Sequence, residues 1–156
     1  MELNTKYVAQ GAIIAALYAA LTVLLSPISY GLVQCRVTEA LCILPMFSPA
    51  AIWGLSFGCL IANIFGGGGV VDIVFGTLAT LLAALCTYRF RKTVLLAPLF
   101  PVLFNAIIVG GYLHILTAPP VPLPFTMLYI ALGEAVACYA LGLPLHSLIK
   151  NTALFK

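Results

Sequence analysis

The chain has 156 residues, 63% of them hydrophobic and 7% charged, with a formal net charge of +3; an average soluble domain is about 45–50% apolar and about 25% charged. Such a composition excludes a soluble globular domain, and the apolar stretches are too many for one secretory signal peptide followed by a soluble chain. The positive balance does not point to nucleic acid either, because the basic residues sit in short clusters between apolar segments, where they set membrane orientation.

A spanning helix takes about 20 residues at 1.5 Å each, and turn-forming breakers divide the chain into six apolar segments. The first runs roughly from Tyr7 to Leu25 and stops at "SPISYG"; its stretch "QGAIIAALYAALTVLL" repeats alanine every four residues at Ala12, Ala16 and Ala20, with Ala15 and Ala19 as a parallel row. Small-residue stripes of this kind let another helix approach closely, from inside the protein or from a partner. The second segment, roughly Arg36 to Phe47, is short and contains Pro45; its roughly 12 residues cover only about 18 Å as an α-helix, so it is expected to be tilted, irregular or completed by the preceding loop. The third spans roughly Ala50 to Phe65 and ends at "GGGG", the fourth Asp72 to Tyr88 before "RFRK", the fifth Thr93 to Leu116 before "TAPPVPLP", and the sixth Phe125 to Ile149.

Six crossings place both termini on one side, together with the turn between the fourth and fifth segments. Those places hold Lys6, then Arg89, Arg91 and Lys92, then Lys150 and Lys156, which predicts cytoplasmic N and C termini. The exception is Arg36, which falls at the outer face beside Glu39 in "CRVTEAL".

Ionisable groups inside membrane segments are costly and face a protein interior or a cavity. On this topology Glu39, Asn63 and Asp72 lie toward the outside, and Asn105 and Glu134 near mid-depth, which predicts a pocket opening outward. Structural readings stand beside the functional one. Arg36 and Glu39 fit an i,i+3 ion pair, Asp72 fits a helix N-cap after the glycine loop, and Asn63 and Asn105 fit interhelical hydrogen bonding. Glu134, in "YIALGEAVACYA", has no local basic residue and resists a structural explanation. If Arg36 pairs with Glu39, Asp72 and Glu134 remain in surplus, and a buried carboxylate must be matched or take up a proton. The match would come from a donor-rich or cationic ligand. Gly66 to Gly69 read either as a flexible outer turn or as a backbone lid over that ligand. Cys35, Cys42, Cys59, Cys86 and Cys138 occur singly and read as small packing residues, so no metal site is expected. His114 and His146 read as interfacial or structural. No nucleotide-binding loop and no HExxH motif is present, so ATP hydrolysis is not expected of this chain and an intramembrane enzyme is the weaker reading.

The stretches "CRVTEALCILPMFSPAAIWGLSFGCLIANIFGG" and "VDIVFGTLATLLAAL" resemble the queuosine-precursor transporter family (QueT), whose members are substrate-binding S-components of energy-coupling factor (ECF) transporters. The resemblance implies a single domain over residues 1–156, folded as an all-α bundle of six membrane helices in the bacterial plasma membrane. It implies capture of a 7-deazaguanine such as preQ1 (7-aminomethyl-7-deazaguanine) or preQ0, without a cofactor, and docking onto a transmembrane coupling subunit with two cytosolic ATPases through an AxxxA face that maps onto Ala12, Ala16 and Ala20. On that basis Glu134 is expected to read the purine edge and Asp72 or Glu39 the ammonium, with Asn63 and Asn105 on other polar edges and Tyr30, Tyr112 or Phe125 stacking on the ring. The rival readings are an S-component for another vitamin-like metabolite, a self-contained proton-coupled carrier, and a structural or lipid-modifying membrane protein.

Overall fold

The computed structural model describes residues 5–30, 35–116 and 121–152, and among these there is no strand; Glu2 and Lys156 lie outside them. Apolar helices follow one another as α1 (Thr5–Leu24), α2 (Val37–Met46), α3 (Ala50–Gly66), α4 (Gly69–Arg89), α5 (Leu99–Leu116) and α6 (Leu123–Ile149). Of these α1, α4, α5 and α6 are long and apolar enough to cross a membrane, whereas α2 and α3 are shorter. A single helical turn, Ser26–Ser29, links α1 to the approach of α2.

Two boundaries differ from the sequence reading. α4 begins at Gly69, so Asp72 lies inside the helix and is not its N-cap. α5 begins at Leu99, not Thr93, because Pro98 disfavours helical geometry at the residue before it and the intervening stretch closes as turns.

Large apolar side chains face outward while charged ones are buried. Leu24, Phe65 and Ile13 are 75%, 73% and 60% exposed, while Arg36, Glu39 and Glu134 are each 1% exposed. A surface of large aliphatic side chains, over an apolar core of mainly small residues that also holds these charged groups, suits hydrocarbon as the surrounding solvent.

Small residues bring α1 against α3. A Cβ at Gly58 would lie 2.7 Å from the Cβ of Tyr18 and 2.8 Å from the carbonyl oxygen of Ala15, and one at Gly54 would lie 2.7 Å from the carbonyl oxygen of Gly11. This contact separates the two alanine rows of α1. Ala15 and Ala19 are buried, and Ala12, Ala16 and Ala20 are exposed.

α2 is wound as a 3-10 helix over all its 10 residues, far longer than the usual short piece. A rise of about 2.0 Å instead of 1.5 Å per residue extends ten residues from about 15 to about 20 Å, so a short segment reaches further across the molecule. Thr38, Glu39, Ala40, Cys42, Ile43, Leu44 and Pro45 are buried, and packing on nearly every side sustains a winding that local preference does not favour.

Candidate functional site

Three helices are locally widened into π-helical turns: α4 at Asp72–Gly76, α5 at Asn105–Val109 and α6 at Val136–Gly142. Each widening begins at, or within two residues of, a polar group that the bundle must hold inside: Asp72, Asn105 and Glu134. A π turn shifts the phase of the helix and redirects side chains, and such turns recur at functional sites.

Arg36, Asp72, Tyr30 and Tyr112 form one cluster. Arg36 Nη2 lies 3.6 Å from Asp72 Oδ1, and the Tyr112 hydroxyl donates to the same oxygen. Arg36 Nε donates to the carbonyl of Ser29 at 3.4 Å, and its guanidinium lies over the Tyr30 ring at 5.1 Å. Tyr30 is held in turn by its hydroxyl, which donates to the Ala62 carbonyl at 2.7 Å; burial raises the pKa of this phenol above its ordinary value and keeps it a donor. Asn63 joins through Nδ2, which donates to the Asp72 carbonyl at 3.1 Å. The partner of Arg36 is therefore Asp72, and the expected i,i+3 pair with Glu39 does not form.

Glu39 is satisfied elsewhere. Its Oε1 accepts from the Tyr18 hydroxyl and its Oε2 from the Cys42 thiol at 2.9 Å. The Cys138 thiol lies between the second and sixth helices, 3.6 Å from the Glu39 carbonyl and 3.9 Å from Glu134 Oε2. The second of these is a weak contact, and the Asn105 side chain is the other polar group beside the Glu134 carboxyl.

Several buried polar atoms, donors as well as acceptors, have no hydrogen-bond partner within bonding geometry: Arg36 Nη2, Asp72 Oδ2, Asn63 Oδ1, Thr77 Oγ1, and both Nδ2 and Oδ1 of Asn105. Buried polar atoms are satisfied in roughly nine cases of ten, and here the exceptions concentrate on residues singled out by charge and depth. A cavity of about 190 Å³ opens beside Asp72, lined by Tyr30, Gly66, Gly67, Gly68, Asp72, Tyr112 and Leu113; Asn63, Asn105 and Glu134 do not line it.

The glycine loop closes one side of this cavity. Gly67 ends α3 in the left-handed region at φ +75°, and a Cβ at Gly68 would lie 2.7 Å from Asp72 Oδ2. At these two places glycine is required, one for its φ and one for its lack of a side chain.

Phe125 does not join the cluster. It is 53% exposed and its ring neighbour is Tyr129, at 6.5 Å between centroids. Residues the sequence reading did not single out for the site do join: Tyr18, Cys42, Cys59, Thr80 and Cys138. Cys59 Sγ receives Asn63 Nδ2 at 3.4 Å and Thr80 Oγ1 at 3.3 Å, and faces Arg36 Nη1 at 3.8 Å. Three cysteines read as packing residues thus also serve as polar contacts. A signal existed in the spacing, since Cys42 follows Glu39 by three residues and Cys138 follows Glu134 by four, one helical turn each.

With one guanidinium against three carboxyls, the interior accepts hydrogen bonds more readily than it donates them, which suits a ligand rich in N–H groups or carrying a cation.

A family model described as QueT transporter matches residues 8–151. A protein named "Queuosine precursor transporter QueT" from Lactococcus lactis subsp. cremoris (strain MG1363) is 41% identical over 87 residues, a stretch covering 52% of this chain and 51% of that protein. The match thus spans about half the length of that relative. No solved structure matches.

Proposed function

The chain belongs to the QueT transporter family, a membrane-embedded, multi-pass architecture here, and from that premise we propose that it is the substrate-capturing S-component of an ECF-type importer for a queuosine precursor. The substrate is a 7-deazaguanine, preQ1 or preQ0, taken up from the outer face. A deazaguanine presents adjacent N1–H and 2-amino donors, which one carboxylate accepts bidentately. Glu134, buried with a weak thiol contact and the Asn105 amide beside it, is the residue suited to that edge. The aminomethyl ammonium of preQ1 would meet Asp72, whose Oδ2 is unpartnered and which lines the cavity; Glu39 already accepts from two donors and is the weaker candidate.

The observation that carries this reading is the burial of three carboxyls, Glu39, Asp72 and Glu134, with a single arginine, Arg36. At about 190 Å³ the cavity is smaller than the ~300–1,000 Å³ of common ligand sites. Binding therefore involves movement of the glycine loop and extension of the pocket toward Asn105 and Glu134. Six crossings, with α2 and α3 completing the span beside the four long helices, would leave the termini cytoplasmic.

This chain carries no nucleotide-binding loop, so uptake requires a transmembrane coupling subunit and two cytosolic ATPases. The exposed row Ala12, Ala16 and Ala20 supports α1 as the docking face, because the buried row is already occupied by α3. Mass spectrometry of the small molecule that co-purifies with the protein tests the assignment. A 7-deazaguanine is the expected result, and another metabolite would move the protein to a different substrate. Transport by this chain alone, driven by a pH gradient in liposomes, would instead support a proton-coupled carrier.

A further inference from the structure

At the far end of α4 from Asp72, 17 residues and about 25 Å away, the chain turns through Tyr88, Arg89, Phe90, Arg91, Lys92 and Thr93. These six residues line a surface pocket of about 440 Å³, and all but the half-buried Tyr88 are exposed. Three cations fall within four positions. Two are held in place by rings: Arg91 Cζ lies 4.8 Å from the Tyr88 centroid and Arg89 Cζ 5.9 Å from the Phe90 centroid. Phe90 is itself set against Phe100 of α5, with centroids 5.2 Å apart.

A positive-inside signal needs only charge near the membrane surface. This turn has more than that: guanidiniums positioned over aromatic faces around a concave surface. Among the described residues no carboxyl supplies a counter-charge to this turn. Of the chain's four acids, Glu39, Asp72 and Glu134 are buried and Glu2 lies outside the described residues; the ion pair found among the described residues is Arg36 with Asp72. The negative end of the α4 dipole is equivalent to roughly half a charge, which leaves most of the positive charge unmatched. Exposed apolar side chains surround the turn, with Leu85, Leu95 and Phe90 at 45%, 69% and 46%. Cations beside exposed aliphatic surface fit a molecule that is anionic at its head and apolar below it.

We propose that the Tyr88–Thr93 turn is a binding site for the phosphate of an anionic phospholipid headgroup. Arg89 and Arg91 supply planar N–H forks for phosphate oxygens, Lys92 adds a point charge, and the acyl chains lie along Leu85 and Leu95. The proposal rests on membrane embedding and is independent of which metabolite the protein carries.

The experiment uses the purified full-length chain, delipidated and then titrated with phosphatidylglycerol, phosphatidylcholine or inorganic phosphate, with retained ligand counted by native mass spectrometry. Preferential retention of phosphatidylglycerol is expected. Replacing all three cations, Arg89→Gln with Arg91→Gln and Lys92→Gln, is expected to weaken it by about a hundredfold. Because that variant can insert in the wrong orientation, a charge-preserving pair, Arg89→Lys with Arg91→Lys, is tested beside it and is expected to lose several-fold through the lost planar fork. Equal retention of the two lipids, or an unchanged preference in the Lys pair and the triple variant, would overturn the proposal and leave the turn as an orientation signal. Retention of inorganic phosphate as strong as that of phosphatidylglycerol would overturn the lipid as the source.

Discussion

The two ends of α4 handle charge in opposite ways. At the Gly69 end, Asp72 is 4% exposed and is engaged by Arg36, Tyr112 and Asn63; at the Arg89 end three cations are exposed beside aromatic rings with no described carboxyl near them. A charge taken out of water must be matched within the protein or by what the protein binds, whereas a charge at an interface keeps its solvation and is free for external partners. Substitutions at the first end should therefore propagate through the fold, and those at the second should not.

Removal of Arg36 tests the buried end most severely. Arg36→Ala leaves Asp72 as a buried carboxylate without its cation, and stability measured by chemical or thermal unfolding in detergent is expected to fall by about 3–5 kcal/mol. Adding Asp72→Asn should restore much of that loss, while adding Glu39→Gln should not, because Glu39 is held by Tyr18 and Cys42. Rescue by the Glu39 change would show that the pairing is wrong. A smaller effect, about 1–3 kcal/mol, is expected for Gly68→Val, whose new Cβ would meet Asp72 Oδ2 at 2.7 Å; ligand binding should weaken with it, since the same loop lines the cavity. Smallest is the exposed end, where Arg89→Gln or Lys92→Gln is expected to change unfolding stability by no more than about 0.5 kcal/mol. A loss there comparable to that of Arg36→Ala would erase the distinction between the two ends.

Much of this contrast could be read in the sequence, because charge is so rare in the chain that each acid and base had to be accounted for. Arg36, Asn63, Asp72, Asn105 and Glu134 drew notice by being polar in apolar segments, and each proves buried. The pairing was not legible. Arg36 and Glu39 are neighbours by helical spacing, but α2 winds as a 3-10 helix and turns Glu39 toward Tyr18, while Arg36 reaches a residue 36 positions away. Nor could spacing foretell the π turns in α4, α5 and α6, which begin at or near the buried Asp72, Asn105 and Glu134. The two alanine rows of α1 were equivalent in sequence, and Gly54 and Gly58 on α3 decide which one is buried. Phe125 shows the converse error: an aromatic residue near a segment end fits a stacking role by type alone, yet the side chain points outward.

The central claim is that buried carboxyls surplus to Arg36 read a donor-rich purine. Its most direct test is equilibrium binding of 7-aminomethyl-7-deazaguanine to the purified protein and to Glu134→Gln, with unfolding profiles confirming that both are folded. Saturable binding by the unaltered chain, weakened by about 10- to 150-fold in the variant as expected for loss of a charge-assisted hydrogen bond, is the predicted result. Undiminished binding by Glu134→Gln, or no binding by the unaltered protein, would contradict it.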